Sequence, residues 1–199
     1  MPAKAGTSPL AEVTCRPVTA DRWSDFEQLF GERGACAGCW CMYLKLPRAT
    51  FDRQKGAENK EAIRAEIIGG GTPGLLAYAG DEPAGWCAIA PRDAYPALAR
   101  SRILKPVDES PVWSVTCFFV ARPYRRQGLA ARLLRAAVDH AATHGATIVE
   151  GYPVDSRQDK MPDTSAWMGL ASTFQAVGFT EVARRSESRP IMRYRIGKR

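Results

Sequence analysis

In "EVTCRPVTA" (12–20) apolar and polar positions alternate with a period near two, which predicts a short strand. The period changes in "ADRWSDFEQLFGE": Trp23, Phe26, Leu29 and Phe30 recur at helical spacing, and Asp21 stands where a helix cap would stand. Residues 31–45, "GERGACAGCWCMYLK", follow neither period and read as irregular. "AENKEAIRAEIIGGGTPG" (57–74) predicts a helix stopped by three glycines and a proline. "LLAYAGDEPAGWCAIAP" (75–91) holds two apolar runs around a Gly-Asp-Glu-Pro turn, the pattern of a hairpin. A long, polar, proline-bearing connection covers 92–111, and connections of that length are often functional.

"VWSVTCFFV" (112–120) is apolar enough to be a strand buried on both faces. From Gly128 onward Leu129, Leu133, Leu134, Ala137, Val138 and Ala141 form one helical stripe, with Arg132, Arg135 and Asp139 turned away and Gly145 as C-cap. "TIVEGYPV" (147–154) predicts another strand. "DSRQDKMPDTS" reads as a loop, with Thr164 or Ser165 capping a helix through "AWMGLASTFQAVGF" that ends at Gly178. "TEVARRSESRPIMRYRI" predicts two final strands around a polar turn. Strand, helix, helix, hairpin, strand, helix, strand, helix, strands is the order of a mixed α/β domain. It is expected to be one domain over residues 11–199, behind a flexible tail of residues 1–10.

Composition supports one packed domain: 199 residues, 45% hydrophobic and 25% charged. No apolar stretch approaches ~18 residues, so no membrane span is expected. The first residues lack the apolar core of a secretory signal. Six cysteines without such a signal predict reduced thiols and a cytoplasmic location. The formal charge of +7 admits an anionic partner (nucleic acid, acidic membrane or phosphorylated small molecule) or solubility alone. The arginines cluster near 125 and in "ARRSESR" rather than along one helix, and no helix-turn-helix or zinc-finger pattern occurs, so nucleic acid is not the expected partner.

The junction "FFVARPYRRQGLAARLL" (118–134) carries the sharpest chemistry. A helix start leaves backbone N–H groups unpaired and partly positive. Gly128 lacks the Cβ that would hold an anion away, and Arg125 and Arg126 add charge beside it. These residues suit a phosphate cradle; the plainer alternative is a helix start with solvated arginines. The pattern is neither that of a nucleotide P-loop nor Gly-x-Gly-x-x-Gly.

"RRQGLA" (125–130) resembles the Arg/Gln-x-x-Gly-x-Gly/Ala loop of the GNAT superfamily of acyl-CoA-dependent N-acyltransferases, with Arg125, Gly128 and Ala130 on its three defined positions. "VARPYRRQGLA", the hairpin at 75–91 and "FQAVGFTEVAR" with Gly178-Phe179 extend the resemblance over about residues 12–198. It implies a mixed, mostly antiparallel sheet flanked by helices, with the fourth strand (112–120) splayed from the fifth (147–154). It implies acetyl-CoA as co-substrate, its pyrophosphate held at Arg125, Arg126, Gln127, Gly128, Leu129 and Ala130. The pantetheine arm would pair with Phe118, Phe119 and Val120. No metal is expected. The implied reaction is acetyl transfer to a primary amine of a small molecule or protein by direct attack; the alternative is a non-catalytic acyl-CoA-binding regulatory module. Dimers are common in the family, so a homodimer is compatible with the resemblance.

Attack needs a neutral amine, and an alkyl ammonium has a pKa of about 10, so a base must take a proton. Many family members place a tyrosine four residues before the Gly-Phe glycine to protonate the leaving thiolate; this chain has Phe174 there. Glu150 is the first candidate base and Tyr152 the substitute acid, two apart on one strand face. The alternative reading of Glu150 is a paired structural or rim acid. Asp155 is the second candidate, while His140 and His144 read as surface residues.

"CAGCWC" places Cys36, Cys39 and Cys41 within six residues, but no second pair completes a zinc set and no thioredoxin-like unit surrounds them. They read as a packed loop between the first helices, where the resemblance implies part of the acceptor pocket, with Trp40, Met42 and Tyr43 lining or covering it. Trp86, Arg92, Tyr95, Arg100 and Arg102 are candidates for an aromatic and cationic acceptor site; surface arginines around a core tryptophan are the alternative.

Overall fold

The computed structural model describes residues 12–155 and 166–197. The apolar runs pair into one seven-stranded sheet: β1 (Val13–Pro17), β2 (Gly74–Ala79), β3 (Glu82–Pro91), β4 (Trp113–Val120), β5 (Ile148–Gly151), β6 (Thr180–Arg184) and β7 (Pro190–Arg195). Their order is β1-β2-β3-β4-β5-β7-β6. Every neighbouring pair is antiparallel except β4–β5, which is parallel because α5 (Leu129–Thr143) carries the chain back between them. The helices are α1 (Trp23–Phe30), α2 (Arg48–Arg53), α3 (Ala57–Ile68), α4 (Pro96–Arg100), α5 and α6 (Ala171–Val177).

α5 buries Leu129, Leu133, Leu134, Ala137, Val138 and Ala141 against one face of the sheet, beside Phe174 of α6. The other face is covered by Phe26 and Phe30 of α1, Ile63 and Ile67 of α3, and Trp40, packed on Trp86. A third cluster, with Tyr95, Leu98, Tyr152, Met168 and Ile191, closes that face over the β5–β7 side.

Several boundaries depart from the periodicity. Asp21 does not cap α1: it lies in a 3-10 turn, Ala20–Arg22, where its carboxylate accepts the Thr19 hydroxyl at 2.5 Å, and the helix starts two residues later. The connection 92–111 contains α4, with Pro96 in its first turn. α6 begins at Ala171 with Leu170 at its N-cap position. Thr164 and Ser165, proposed as caps, lie outside the described residues. The preceding residues are drawn into sheet-like bonding instead. Leu170 bridges Val154 in parallel, Val154 N–H donates to Gly169 O at 2.9 Å, and Ala171 N–H donates to Val154 O at 2.9 Å.

Candidate active site

The β3–β4 register passes from Ala88↔Cys117 to Ile89↔Val115, so Thr116 is an extra residue in β4. A bulge of this kind bends its strand and re-aims the side chains beyond it. β4 pairs with β5 only through Trp113↔Val149, Ser114↔Glu150 and Val115↔Gly151. Beyond Val115 the two strands part, as a splayed pair should. Alternation along β4 turns the Phe118 and Val120 amides toward the gap and the Phe119 amide toward β3. The Phe118 N–H is already bonded to Trp167 O at 2.6 Å. The Phe119 ring lies 5.7 Å from that of Phe30, centroid to centroid.

β4 ends in a turn at Arg122–Tyr124 and Arg125 is extended. Arg126 has φ +60° and Gly128 φ +78°, and α5 starts at once. Among the described residues, the amides of Arg126, Gln127, Gly128, Leu129 and Ala130 meet no acceptor. The nearby side chains hold the loop: Arg125 Nε donates to Val120 O at 3.0 Å and Gln127 Nε2 to Pro123 O at 2.8 Å. A Cβ built at Gly128 would meet nothing within 4 Å. The glycine is therefore required by its left-handed backbone, and the space its side chain would occupy is open.

Glu150 and Tyr152 are brought together in the sheet interior, both 0% exposed. Tyr152 Oη donates to Glu150 Oε1 at 2.7 Å. Arg92 Nη1 reaches Glu150 Oε1 at 2.8 Å and Tyr152 Oη at 2.5 Å, and Arg193 Nε reaches Glu150 Oε2 at 2.7 Å. Ser114 Oγ lies 2.9 Å from Tyr152 Oη. Arg193 in turn donates to Asp108 Oδ2 at 2.7 Å, so two acids and two guanidiniums form one neutral set. Burial, and then the Glu150 charge, push the Tyr152 phenol well above its ordinary value, so it stays protonated. Burial works against the Arg193 charge, but its bonds to Asp108 and Glu150 prevail and raise it. The Arg193 bond also holds Asp108 below the usual carboxylate range. A cavity of about 220 Å³ opens beside this set, lined by Glu150, Arg92, Arg193 and Asp108.

Phe174 is fully buried and stands edge-on to Phe118 and Phe179. Asp155 is paired with Arg184 at 2.9 Å. His140 is half-buried rather than on the surface, with its ring 5.8 Å from Trp113, while His144 is exposed. Cys36 is exposed, whereas Cys41 is buried with its Sγ 3.0 Å from Trp86 Nε1 and 3.3 Å from Cys117 Sγ. Among the described residues, no group of three His, Cys, Asp or Glu is placed to hold a metal. Trp40 and Met42 belong to the core, and of that loop Tyr43 lines a second cavity, about 460 Å³, with Trp167 and Arg189.

The proposed arginine-rich acceptor set does not assemble. Trp86 and Tyr95 are buried, Arg92 turns inward to Glu150, and Arg100 and Arg102 remain exposed. Arg193 and Asp108 were missed by the sequence reading. Arg193 carried a signal, since a cation between Met192 and Tyr194 in an apolar strand needs a partner as much as Glu150 does. Nothing local marked Asp108.

The family model of the GNAT acetyltransferases matches residues 39–159, and the chain belongs to that family. The fold is shared with solved structures at low identity. One is a PaiA N-acetyltransferase from Thermoplasma acidophilum in complex with coenzyme A, at TM-score 0.53 and 14% identity over 93% of this chain and 99% of that one. Another is a GNAT-family acetyltransferase from Listeria monocytogenes 4b F2365, at TM-score 0.56 and 11% identity over 92% and 95%. A third, from Streptococcus pneumoniae, matches at TM-score 0.53 and 16% identity over 94% and 100%. No curated protein matches the chain. Among the described residues, no helix is long and apolar enough to cross a membrane.

Proposed function

We propose that the protein is an N-acetyltransferase that moves the acetyl group of acetyl-CoA to a primary amine. The observation that carries this reading is the run of amides from Arg126 to Ala130 that meet no acceptor among the described residues, beside open space at Gly128, at the end of a strand that leaves its neighbour. A diphosphate suits those donors and the α5 dipole. The Val120 amide, turned to the gap, suits the pantetheine arm, and the coenzyme A in the Thermoplasma relative supports the same class of co-substrate.

In this reading the amine nitrogen attacks the thioester carbonyl, the C–N bond forms, and the C–S bond breaks as the tetrahedral intermediate collapses. The amine loses one proton and the departing thiolate takes one. Tyr152, kept protonated by burial, is the donor to sulfur. Glu150, which lines the 220 Å³ cavity, receives the amine proton through water. Both of its carboxylate oxygens are already engaged by guanidiniums, Oε1 by Arg92 and Oε2 by Arg193. That same observation favours a second reading, a domain that binds acyl-CoA without turnover. Calorimetry with CoA and acetyl-CoA, followed by a thiol-release assay over a panel of amines, separates them. The transferase binds and releases thiol, whereas the binding module only binds. No affinity for either compound would defeat both.

A further inference from the structure

We propose that the cavity lined by Tyr43, Trp167 and Arg189 is the acceptor subsite, and that Arg189 holds a carboxylate of an amine acceptor with an apolar body, as in an amino acid or a peptide end. This rests on the transferase reading above. The cavity measures about 460 Å³, within the range of small-molecule sites. It lies against the β4–β5 gap, because Trp167 serves both: its carbonyl accepts the Phe118 N–H and its indole lines the cavity. That indole stands edge-on to Tyr43, ring centroids 5.3 Å apart, and Leu44, Ile103 and Leu104 complete an apolar wall.

The charge in this cavity is uneven. Arg189 is half-buried and donates from Nη1 to Tyr152 O at 2.8 Å, with Met168 Sδ at 3.2 Å. Among the described residues its Nε and Nη2 have no partner and no carboxylate pairs with it. Burial works against its charge without an acid to offset the cost. The other cation on the wall, Arg48, is neutralised by Asp52 at 2.5 Å and gives a further bond to the Tyr43 hydroxyl at 3.1 Å. Among the described residues, no acidic side chain lines the cavity. Among the described residues that leaves one unmatched positive charge, with Nε and Nη2 on a planar fork, which fits a single carboxylate. A phosphate dianion would call on Arg48 as well, and Arg48 is already paired. The Arg189 bond to Tyr152 O also ties the subsite to the residue proposed to protonate the leaving group.

The test is calorimetry on the full chain with N-acetyl-L-phenylalanine and N-acetyl-L-phenylalaninamide, product-like probes that differ in the carboxylate. The wild-type protein is expected to bind the acid at least ~10-fold more tightly than the amide, the scale of a charge-assisted pair. Arg189→Gln should erase that ratio, and Arg189→Lys should keep part of it. Equal affinities in the wild type, no binding of either probe, or an unchanged ratio in Arg189→Gln would overturn the assignment. The wild-type comparison needs no variant to fold. A parallel CoA titration keeps the two readings apart: CoA binding without carboxylate preference removes this subsite and leaves the transferase. Carboxylate binding without CoA affinity does the reverse.

Discussion

Glu150 is buried against two guanidiniums, and the arrangement sets what each substitution should cost. Arg193→Met removes the bidentate partner of Asp108 and leaves Glu150 with one guanidinium, Arg92, and the Tyr152 hydroxyl. Breaking a buried pair from one side costs about 3 kcal/mol, and the urea midpoint should report that loss. Glu150→Gln keeps shape and removes the charge; if Glu150 takes the amine proton, kcat falls and the acid limb of the rate profile disappears. An unchanged profile would leave Glu150 as a structural ion only. His140 gives a separate pH dependence. Burial, and then His144, hold its imidazole below the ordinary value near 6.5. The folded protein therefore binds fewer protons than the unfolded chain between the two values. Stability is complete above about pH 6.5 and declines as pH falls through that value toward the lower folded one. His140→Gln should flatten the difference in urea midpoint between pH 7.5 and pH 5.5.

At the scale of elements, the loop into α5 joins a strained backbone to an empty space. Gly128→Val places a β-branched residue at φ +78°, costing about 1–2 kcal/mol of stability. Its side chain also enters the open space above the amides. Losing two charge-assisted bonds to phosphate, about 3 kcal/mol together, predicts a CoA affinity at least ~100-fold weaker in a protein that still folds. This element was legible because its signals are local: the α5 stripe from Leu129 to Ala141 is buried as its spacing implied, and Gly128 marks its start. The loop at 34–41 was not legible, because its form is set from outside. Ala35, Ala37, Trp40 and Cys41 take positive φ, with Trp40 stacked on Phe30 and Gly38 O bonded by Gly56 N–H and Asn59 Nδ2. The start of α6 was misplaced for a similar reason, since 167–170 bond to Phe118 and Val154 rather than winding. Phe174 shows what that packing demands. A Cβ on Gly151 would approach its ring to 2.1 Å and one on Gly169 to 2.8 Å. Phe174→Tyr would bury a hydroxyl with no partner supplied, so it should destabilise by about 1–3 kcal/mol without raising the thiol-release rate.

At the scale of the whole molecule, seven surplus positive charges and the amides of residues 126–130 would act together on the polyanion proposed as co-substrate. The fold leaves α5 to point its N-terminus at the gap between β4 and β5, so a ligand there bridges two elements that otherwise part after Val115. Such a ligand binds the native state alone, since the unfolded chain has neither the loop nor the gap. At a concentration 100 times Kd it should add about 2.7 kcal/mol of stability. For a chain of this size, each kcal/mol moves Tm by about 2–4 °C, so saturating CoA should raise Tm by roughly 5–11 °C. The shift should shrink as salt rises from 50 to 500 mM, because Arg125 and Arg126 are exposed and their attraction is screened over a Debye length of about 10 Å or less. Dephospho and pantetheine-only fragments resolve the contributions. A shift that survives loss of the diphosphate would place the binding energy along β4 instead of on the loop. A shift that vanishes with it, in the wild type as in Gly128→Val, assigns that energy to the amides of residues 126–130.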